Sequence, residues 1–344
     1  MHPRSFLFLL ASLVTLMSCS YKPPAAETGA RSQRLIARIH ESGFPPSHDT
    51  YNGMGTASDG RIYYVLCSEL PDVGARMYVF DPATQKVEML GDLTEASGEK
   101  GMNTISQGKS HVRFVEAGGK LWFATHLGFY SIIDDMEKPG IPPAGMKPYR
   151  GGHILAWDMA SRKFEDHGLA PAGEGIITMN MDPRRMRVYG ITWPTGIVFR
   201  YDVPKKEWKE LGRFFEQGEN GKGATYRTIC RSLAVDPEDG SVYFSTGDGI
   251  IHRYRYDRDT VENVAGDNLR KDYFGVYDVT SPGHMAYNWR QVFYHAGSRT
   301  IYGVHGNSGY LFRFDPRAER VDVLRRITSE PSQASGMYDQ FSYG

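Results

Sequence analysis

Three observations predict that this sequence forms an all-β fold, a β-propeller of four-stranded blades. A short apolar and aromatic run, a turn containing Gly and a second run ending in Asp occur five times in the chain. Their period of roughly 55 to 65 residues is typical of propeller blades. The 38 glycines and the 12% aromatic content suit many short strands joined by tight turns. The first runs begin at Ile62, Leu121, Val188, Val242 and Ile301, and the second runs end at Asp81, Asp158, Asp202, Asp257 and Asp315.

The fourth repeat shows the four strands of a blade most clearly. Residues 232–236, 242–246, 250–256 and 260–264 predict its strands A to D. Asp-Pro and Asp-Gly pairs form turns readily, and we assign the aspartates that end the second runs to turns and not to catalysis. The same pattern places the five blades at residues 50–93, 110–170, 175–213, 228–266 and 287–327.

Both ends of the repeat region carry part of a further blade. Residues 34–39 predict an unpaired strand D, and residues 336–344 predict the start of another strand A. We therefore expect about six to seven blades in a complete ring, and a propeller over residues 34–344 that is incomplete at its C-terminus. The alternative is that the two tails pack as irregular caps over an otherwise open sheet edge.

The N-terminal segment predicts export. Phe6 to Met17 is apolar but too short to span a membrane, and the four residues Leu16 to Cys19 resemble a bacterial lipobox. We predict a signal peptide over residues 1–19, lipidation at Cys19 and a flexible tether over residues 20–33. The chain is then a secreted, periplasmic or outer-membrane lipoprotein of a bacterium, and it contacts a membrane only through this anchor. Ordinary signal cleavage with an incidental cysteine is the alternative.

Composition limits the partners of the chain. Lys plus Arg and Asp plus Glu number 40 each, so no overall field favours nucleic acid, and we expect none as a partner. A monomer is expected. Cys67 and Cys230 could pair in an oxidising compartment, or remain as two buried free thiols.

Polar and aromatic residues cluster on one predicted rim. In a propeller the B–C and D–A connections share one face, and the second repeat adds a long insertion there, Phe129 to Gly152. We predict a pocket for a carbohydrate or another anionic, hydroxylated ligand, with aromatic faces for stacking and guanidinium groups for a carboxylate. The proposed ligand-binding residues are His153, Arg227, Trp193, Glu174, Trp289, Arg290, His305 and Asn307.

Each of these residues also has a structural interpretation. His111 and His126 could cap strands through ring hydrogen bonds. Arg227 and Arg231 could form structural ion pairs with Glu174 or Asp236. The tryptophans could instead be wedges between blades. A divalent metal is a further possibility because imidazoles from separate loops can converge, but the spacing of His111, His126, His153 and His305 matches no known ligand signature.

The segments around these histidines resemble a known family. They are Lys109-Ser110-His111, the run from Gly119 to His126, and Tyr149 to His153, together with Gly173 to Ile176 and Tyr189 to Gly196. These segments resemble the bacterial propeller polysaccharide lyases of the ulvan-lyase type. The resemblance implies that His111 and His126 stand for the catalytic histidines, Arg231 or Arg227 for the arginine and Tyr189 for the tyrosine.

The implied reaction is β-elimination on a uronate-containing polysaccharide or oligosaccharide, and it requires no cofactor. An arginine would stabilise the enolate charge, a histidine would remove the proton next to the carboxylate, and a second histidine or a tyrosine would protonate the leaving oxygen. A non-catalytic propeller that binds glycan or protein at the cell surface is one alternative. A metal-dependent hydrolase or lactonase is the other.

Overall fold

The computed structural model describes residues 36–335. The chain divides into two units, Met1–Ile39 and His40–Gly344, and the described part of the second unit contains every strand given below. The predicted signal peptide, Cys19, the tether and the tail at 336–344 lie outside the described residues. Across residues 36–335, no helix is long and apolar enough to cross a membrane.

Five four-stranded antiparallel sheets follow one another through the described residues. The first contains β1 (Met54–Thr56), β2 (Ile62–Leu66), β3 (Arg76–Asp81) and β4 (Lys86–Asp92). The second contains β5 (Val115–Ala117), β6 (Lys120–Ala124), β9 (His153–Asp158) and β10 (Lys163–Leu169), in the order β10-β9-β6-β5. A separate hairpin of β7 (Tyr130–Ile133) and β8 (Met136–Pro139) lies between β6 and β9 in the sequence. The third contains β11 (Gly175–Asp182), β12 (Arg187–Trp193), β13 (Ile197–Asp202) and β14 (Glu207–Arg213).

The remaining two sheets repeat the same order. The fourth contains β15 (Ala234–Val235), β16 (Val242–Ser245), β17 (Ile251–Arg255) and β18 (Thr260–Asn263). The fifth contains β19 (Trp289–His295), β20 (Thr300–His305), β21 (Tyr310–Asp315) and β22 (Arg320–Arg326). Helices are short, with α1 at Leu93–Ala96, α2 at Glu330–Ala334 and single 3-10 turns at Pro171–Gly173, Gly218–Asn220, Gly223–Thr225 and Asp272–Phe274.

The prediction of an all-β propeller is confirmed. Each observed sheet falls within its predicted blade, and the innermost strands β11, β15 and β19 contact one another in succession. Apolar side chains of neighbouring sheets merge into two clusters, one centred on the first three sheets and the other on the last three. This packing between sheets brings loops that are far apart in the sequence to a common centre.

Three of the five aspartates at the strand ends each make two of the predicted turn bonds, whereas Asp257 pairs with Arg255 and Asp202 with Arg187. Asp81 Oδ1 accepts hydrogen bonds from the amides of Ala83 and Thr84 at 2.9 and 3.2 Å. Asp158 and Asp315 make the same pair of bonds to the amides that follow them. Satisfying these amides allows each chain reversal to occur without an unpaired donor.

The first and last sheets differ from the three between them. Along β2 the burial alternates, with Tyr63 and Val65 buried and Tyr64 and Leu66 only partly covered. On the fifth sheet Phe293 is 55% exposed. No strand ladder joins these two sheets among the described residues, where five blades are present against the six to seven expected for a complete ring. The described part of the predicted strand D, residues 36–39, contains no strand.

Candidate functional site

A cavity of about 420 Å³ is lined by strands of the third and fifth sheets, by the β7–β8 hairpin, and by connections next to the other three sheets. Five predicted site residues line it, namely His111, His126, Trp193, Arg231 and Arg290. They come from positions between 111 and 290 of the sequence, so the packing of the sheets is what assembles the cavity. The residues that sequence reasoning did not select include Tyr51, Asn52, Tyr130, Glu137, Glu219, Tyr226 and His284.

The central feature of the cavity is a pair of imidazole rings. The His111 and His126 ring centroids are 4.7 Å apart and the rings meet edge to face at 87°. His126 is fully buried, and neither of its ring nitrogens has a hydrogen-bond partner; His111 Nε2 is also buried without one. A buried polar atom without a partner costs about 1–3 kcal/mol, so such atoms are expected where a ligand or water completes them.

Both imidazoles are neutral near pH 7. Burial lowers the pKa of His111 well below its ordinary value, and the neighbouring His126, Lys109, Arg231 and Arg290 lower it further. Burial also lowers the pKa of His126, with added effects from Lys109 and Arg231. A neutral imidazole can accept a proton at one nitrogen and donate from the other, so the pair can act as a base or as a hydrogen-bonding surface.

The local backbone explains the position of His126. The amides and carbonyls of Lys109 and His126 form a reciprocal pair of hydrogen bonds at 2.8 and 2.9 Å. The ring then packs directly against Gly175, where an added Cβ atom would overlap His126 Nδ1. Gly175 is therefore needed for the close approach of β11 to the imidazole.

Glu219 organises the part of the wall next to His126, whose ring lies 5.5 Å from that of Trp193. Its carboxylate pairs with Arg231 at 2.7 Å and accepts hydrogen bonds from Trp193 Nε1 at 2.8 Å and the Ile229 amide at 3.0 Å. Its backbone carbonyl accepts a 2.6 Å hydrogen bond from Lys138 Nζ. Because Lys138 belongs to β8, this bond fixes the β7–β8 hairpin beside the cavity. The insertion predicted as a surface loop therefore includes an ordered hairpin.

Tyr51 completes the site at its opening. The residue is 47% exposed, and its ring lies 4.5 Å from the His111 ring, measured between centroids. Its backbone has a φ of 38°, a conformation that is rare for a bulky residue and that occurs often at functional sites. Burial of the hydroxyl is the main cause that raises the pKa of Tyr51, so its phenol keeps its proton at neutral pH.

Two other predicted residues lie away from the cavity. His153 donates from both ring nitrogens, to Asp166 at 2.8 Å and to Glu99 at 3.1 Å. These carboxylates outweigh burial and raise the pKa of His153 to about 9. Tyr189 is buried against Tyr254, 5.2 Å between ring centroids, and its phenol does not line the cavity. The alternation of side chains along β12 directs it between the third and fourth sheets.

The remaining predicted residues stabilise loops near the rim. Glu174 accepts hydrogen bonds from Thr192 and Thr195, and Arg227 pairs with Asp248 at 3.4 Å. The structural alternative for Arg227 and Arg231 holds in that both form ion pairs, but their partners are Asp248 and Glu219 and not Glu174 or Asp236. The other three residues occupy buried structural positions: Trp289 donates to the Ser232 carbonyl, His305 stacks on Phe274, and Asn307 holds the 285–286 backbone.

The histidines proposed as metal ligands do not converge. His153 and His305 lie outside the cavity that contains His111 and His126. Among the described residues, the one group with metal-ligand spacing is His48, Asp49 and Glu69. The Lys109 ammonium already lies 2.7 Å from Glu69 and 3.7 Å from Asp49, and it supplies the positive charge of this group. Cys67 and Cys230 are buried free thiols, so the disulfide alternative is wrong.

Comparisons with known proteins give a fold likeness and nothing more specific. No family profile and no curated protein matches the chain. A nidogen/laminin complex structure aligns with a TM-score of 0.47 and 8% identity, covering 78% of this chain and 77% of that one. A luciferin-regenerating enzyme aligns with a TM-score of 0.45 and 10% identity, covering 82% and 78%. Likenesses at this level do not indicate a function, and the propeller assignment follows from the sheets themselves.

Proposed function

We propose that this chain binds an acidic polysaccharide in the central cavity and cleaves it by β-elimination. One observation carries the proposal: the neutral His111–His126 pair, with unpartnered buried nitrogens, lines the same cavity as the Arg231 and Arg290 side chains. The resemblance of the sequence to propeller polysaccharide lyases supports the same reaction. Export by the predicted lipoprotein signal would place the cavity where polysaccharides are found.

His111 fits the role of the base. Its ring is only partly buried and lies beside the exposed Tyr51, whereas His126 is fully buried behind it. The His111 imidazole would take the proton from the carbon next to the uronate carboxylate. Because cations surround it, the developing enolate charge forms in a favourable field, and the Arg231 and Arg290 side chains would stabilise it.

Tyr51 fits the role of the acid. The electron pair released from the C–H bond forms a carbon–carbon double bond, and the C–O bond on the next carbon breaks. The leaving sugar oxygen takes that electron pair and a proton from the Tyr51 phenol, which His111 later restores. Tyr51 thus replaces Tyr189, the tyrosine that the sequence suggested.

The test uses purified protein and a panel of uronic-acid polysaccharides. The wild type should generate the ultraviolet absorbance of unsaturated uronate ends, and His111→Gln should lose about 100-fold or more of kcat/KM. Tyr51→Phe should lower kcat with little change in KM. His295→Gln removes an exposed histidine that does not line the cavity and is the matched control. Glycan binding by a folded wild type that produces no unsaturated ends would refute the elimination.

A non-catalytic glycan-binding propeller is the second candidate. It is favoured by the ion pair between Arg231 and Glu219, which neutralises part of the positive charge of the cavity. This candidate predicts that glycan affinity survives His111→Ala and His126→Ala. Isothermal titration of both variants, run beside the absorbance assay, separates it from the lyase.

A further inference from the structure

Lys109 is a buried cation directly behind the cavity wall. Its side chain is 1% exposed, and its ammonium nitrogen lies 4.7 Å from the Tyr51 ring centroid and 5.0 Å from that of Tyr130. Both tyrosines line the cavity, whereas Lys109 does not. An ammonium group between two aromatic faces holds both rings in place through cation–π attraction.

The burial of the Lys109 ammonium group carries a free-energy cost. An isolated ammonium group is expensive to remove from water, and Lys is almost never fully buried unless it is paired. The partners of Lys109 are Glu69 at 2.7 Å and Asp49 at 3.7 Å, whose side chains are 43% and 22% exposed. The carboxylates can therefore reach water, but the ammonium cannot. A Met at this position would pack among the rings without the desolvation cost, so stability alone does not explain the charge.

The charge is positioned to act on the imidazole pair. Lys109 exchanges two backbone hydrogen bonds with His126 and lies two residues before His111. The charged or titratable groups that affect His111 are His126, Lys109, Arg231 and Arg290, and the Tyr51 ring packs against it. Arg231 pairs with Glu219 and Lys109 pairs with Glu69, so each of these two cations keeps its own carboxylate while it acts on the imidazoles.

We propose that Lys109 is a positioning residue for the elimination reaction: its buried ammonium group fixes the Tyr51 and Tyr130 rings and keeps the His111–His126 pair unprotonated, without touching the ligand. The role of Lys109 in catalysis rests on the proposed function. Repulsion from the ammonium lowers the pKa of both imidazoles, in addition to the effect of burial. The base is then unprotonated at neutral pH.

The test compares Lys109→Met, Lys109→Gln and Lys109→Arg in the full chain. Imidazole protons of His111 are followed by NMR as the pH is lowered, with His111→Gln used for assignment. The neutral variants should raise the titration midpoint of His111 by about 1 pH unit, whereas Lys109→Arg should keep the wild-type midpoint. In the same variants the acid limb of the kcat/KM profile should move to higher pH, and Arg should restore it.

The titration needs no substrate, so the two proposals fail separately. A raised midpoint with no lyase product from the wild type refutes the function, and the charge effect stands. An unchanged midpoint in a folded, neutral variant of an active enzyme refutes the role of Lys109. If both neutral variants fail to fold while Lys109→Arg folds, the ammonium serves the fold, and the positioning role is likewise refuted.

Discussion

Replacing His153 with Gln should lower the free energy of unfolding by an amount that depends on pH. His153 lies between Glu99, whose side chain is fully buried, and Asp166, which is 32% exposed. The imidazolium bridges the two carboxylates, and Glu99 also binds Gln107 at 3.0 Å and Arg150 at 3.3 Å. In His153→Gln these two contacts remain, so the variant should fold while losing the charge.

The magnitude follows from the shift in the pKa of His153. A rise from 6.5 to about 9 corresponds to about 3 kcal/mol of folding free energy, at about 1.4 kcal/mol per pH unit. Solvent at Asp166 screens part of this, so we expect about 2 kcal/mol. Because the folded-state pKa is the higher one, the contribution is fully present below pH 6.5 and is lost as the pH rises through about 9.

Urea unfolding of wild type and His153→Gln between pH 6 and pH 9.5 provides the assay. The difference between their free energies of unfolding should be largest at pH 6 and should shrink by about 2 kcal/mol at pH 9.5. Effects of the other histidines are common to both proteins and cancel in this difference. A difference that stays constant with pH would show that the imidazole is neutral in the folded state, contrary to the reasoning.

Two further substitutions test the packing around the site. Gly175→Ala should displace the His126 ring, lower kcat/KM at least 10-fold and lower the free energy of unfolding by about 1–3 kcal/mol. Gly55→Ala is the control, because its added Cβ meets nothing closer than 3.6 Å, and it should change neither activity nor Tm. Asp259→Asn should lower the free energy of unfolding by about 2 kcal/mol at pH 7, because it weakens bonds of 2.8 and 2.9 Å to the buried Arg200. Those bonds lower the pKa of Asp259 in the folded protein. The urea unfolding curves of the variant should therefore approach those of the wild type as the pH falls toward 3.

The architecture was predictable because it is repeated. Five copies of the strand-turn-strand pattern determine where the sheets begin and end, and the aspartates at the strand ends are local features that do not depend on packing. The rule that B–C and D–A connections share one face correctly collected His111, His126, Trp193, Arg231 and Arg290 at one cavity.

The same rule could have found Tyr51 and Glu219. Tyr51 precedes the first strand of the first sheet, and Glu219 lies in the connection between the third and fourth sheets. Both are D–A positions. Their roles were not visible because Tyr51 depends on an unusual backbone φ, and Glu219 depends on reaching Trp193 and Arg231 from another loop.

Tyr189 and His153 lie away from the cavity, although both are predicted site residues. Tyr189 belongs to a strand next to a rim loop, but strand alternation turns its side chain toward the neighbouring sheet. His153 begins β9, and its neighbours Glu99 and Asp166 come from elsewhere in the chain. Neither orientation follows from local sequence, because both depend on how one sheet packs on the next.

The reaction itself is tested most directly by digesting a uronate-containing polysaccharide in heavy-oxygen water and weighing the products by mass spectrometry. β-Elimination at the His111 site predicts fragments with one unsaturated uronate end and no oxygen from the solvent, in the wild type and in His295→Gln but not in His111→Gln. Saturated fragments that carry heavy oxygen would show hydrolysis, and they would contradict the elimination.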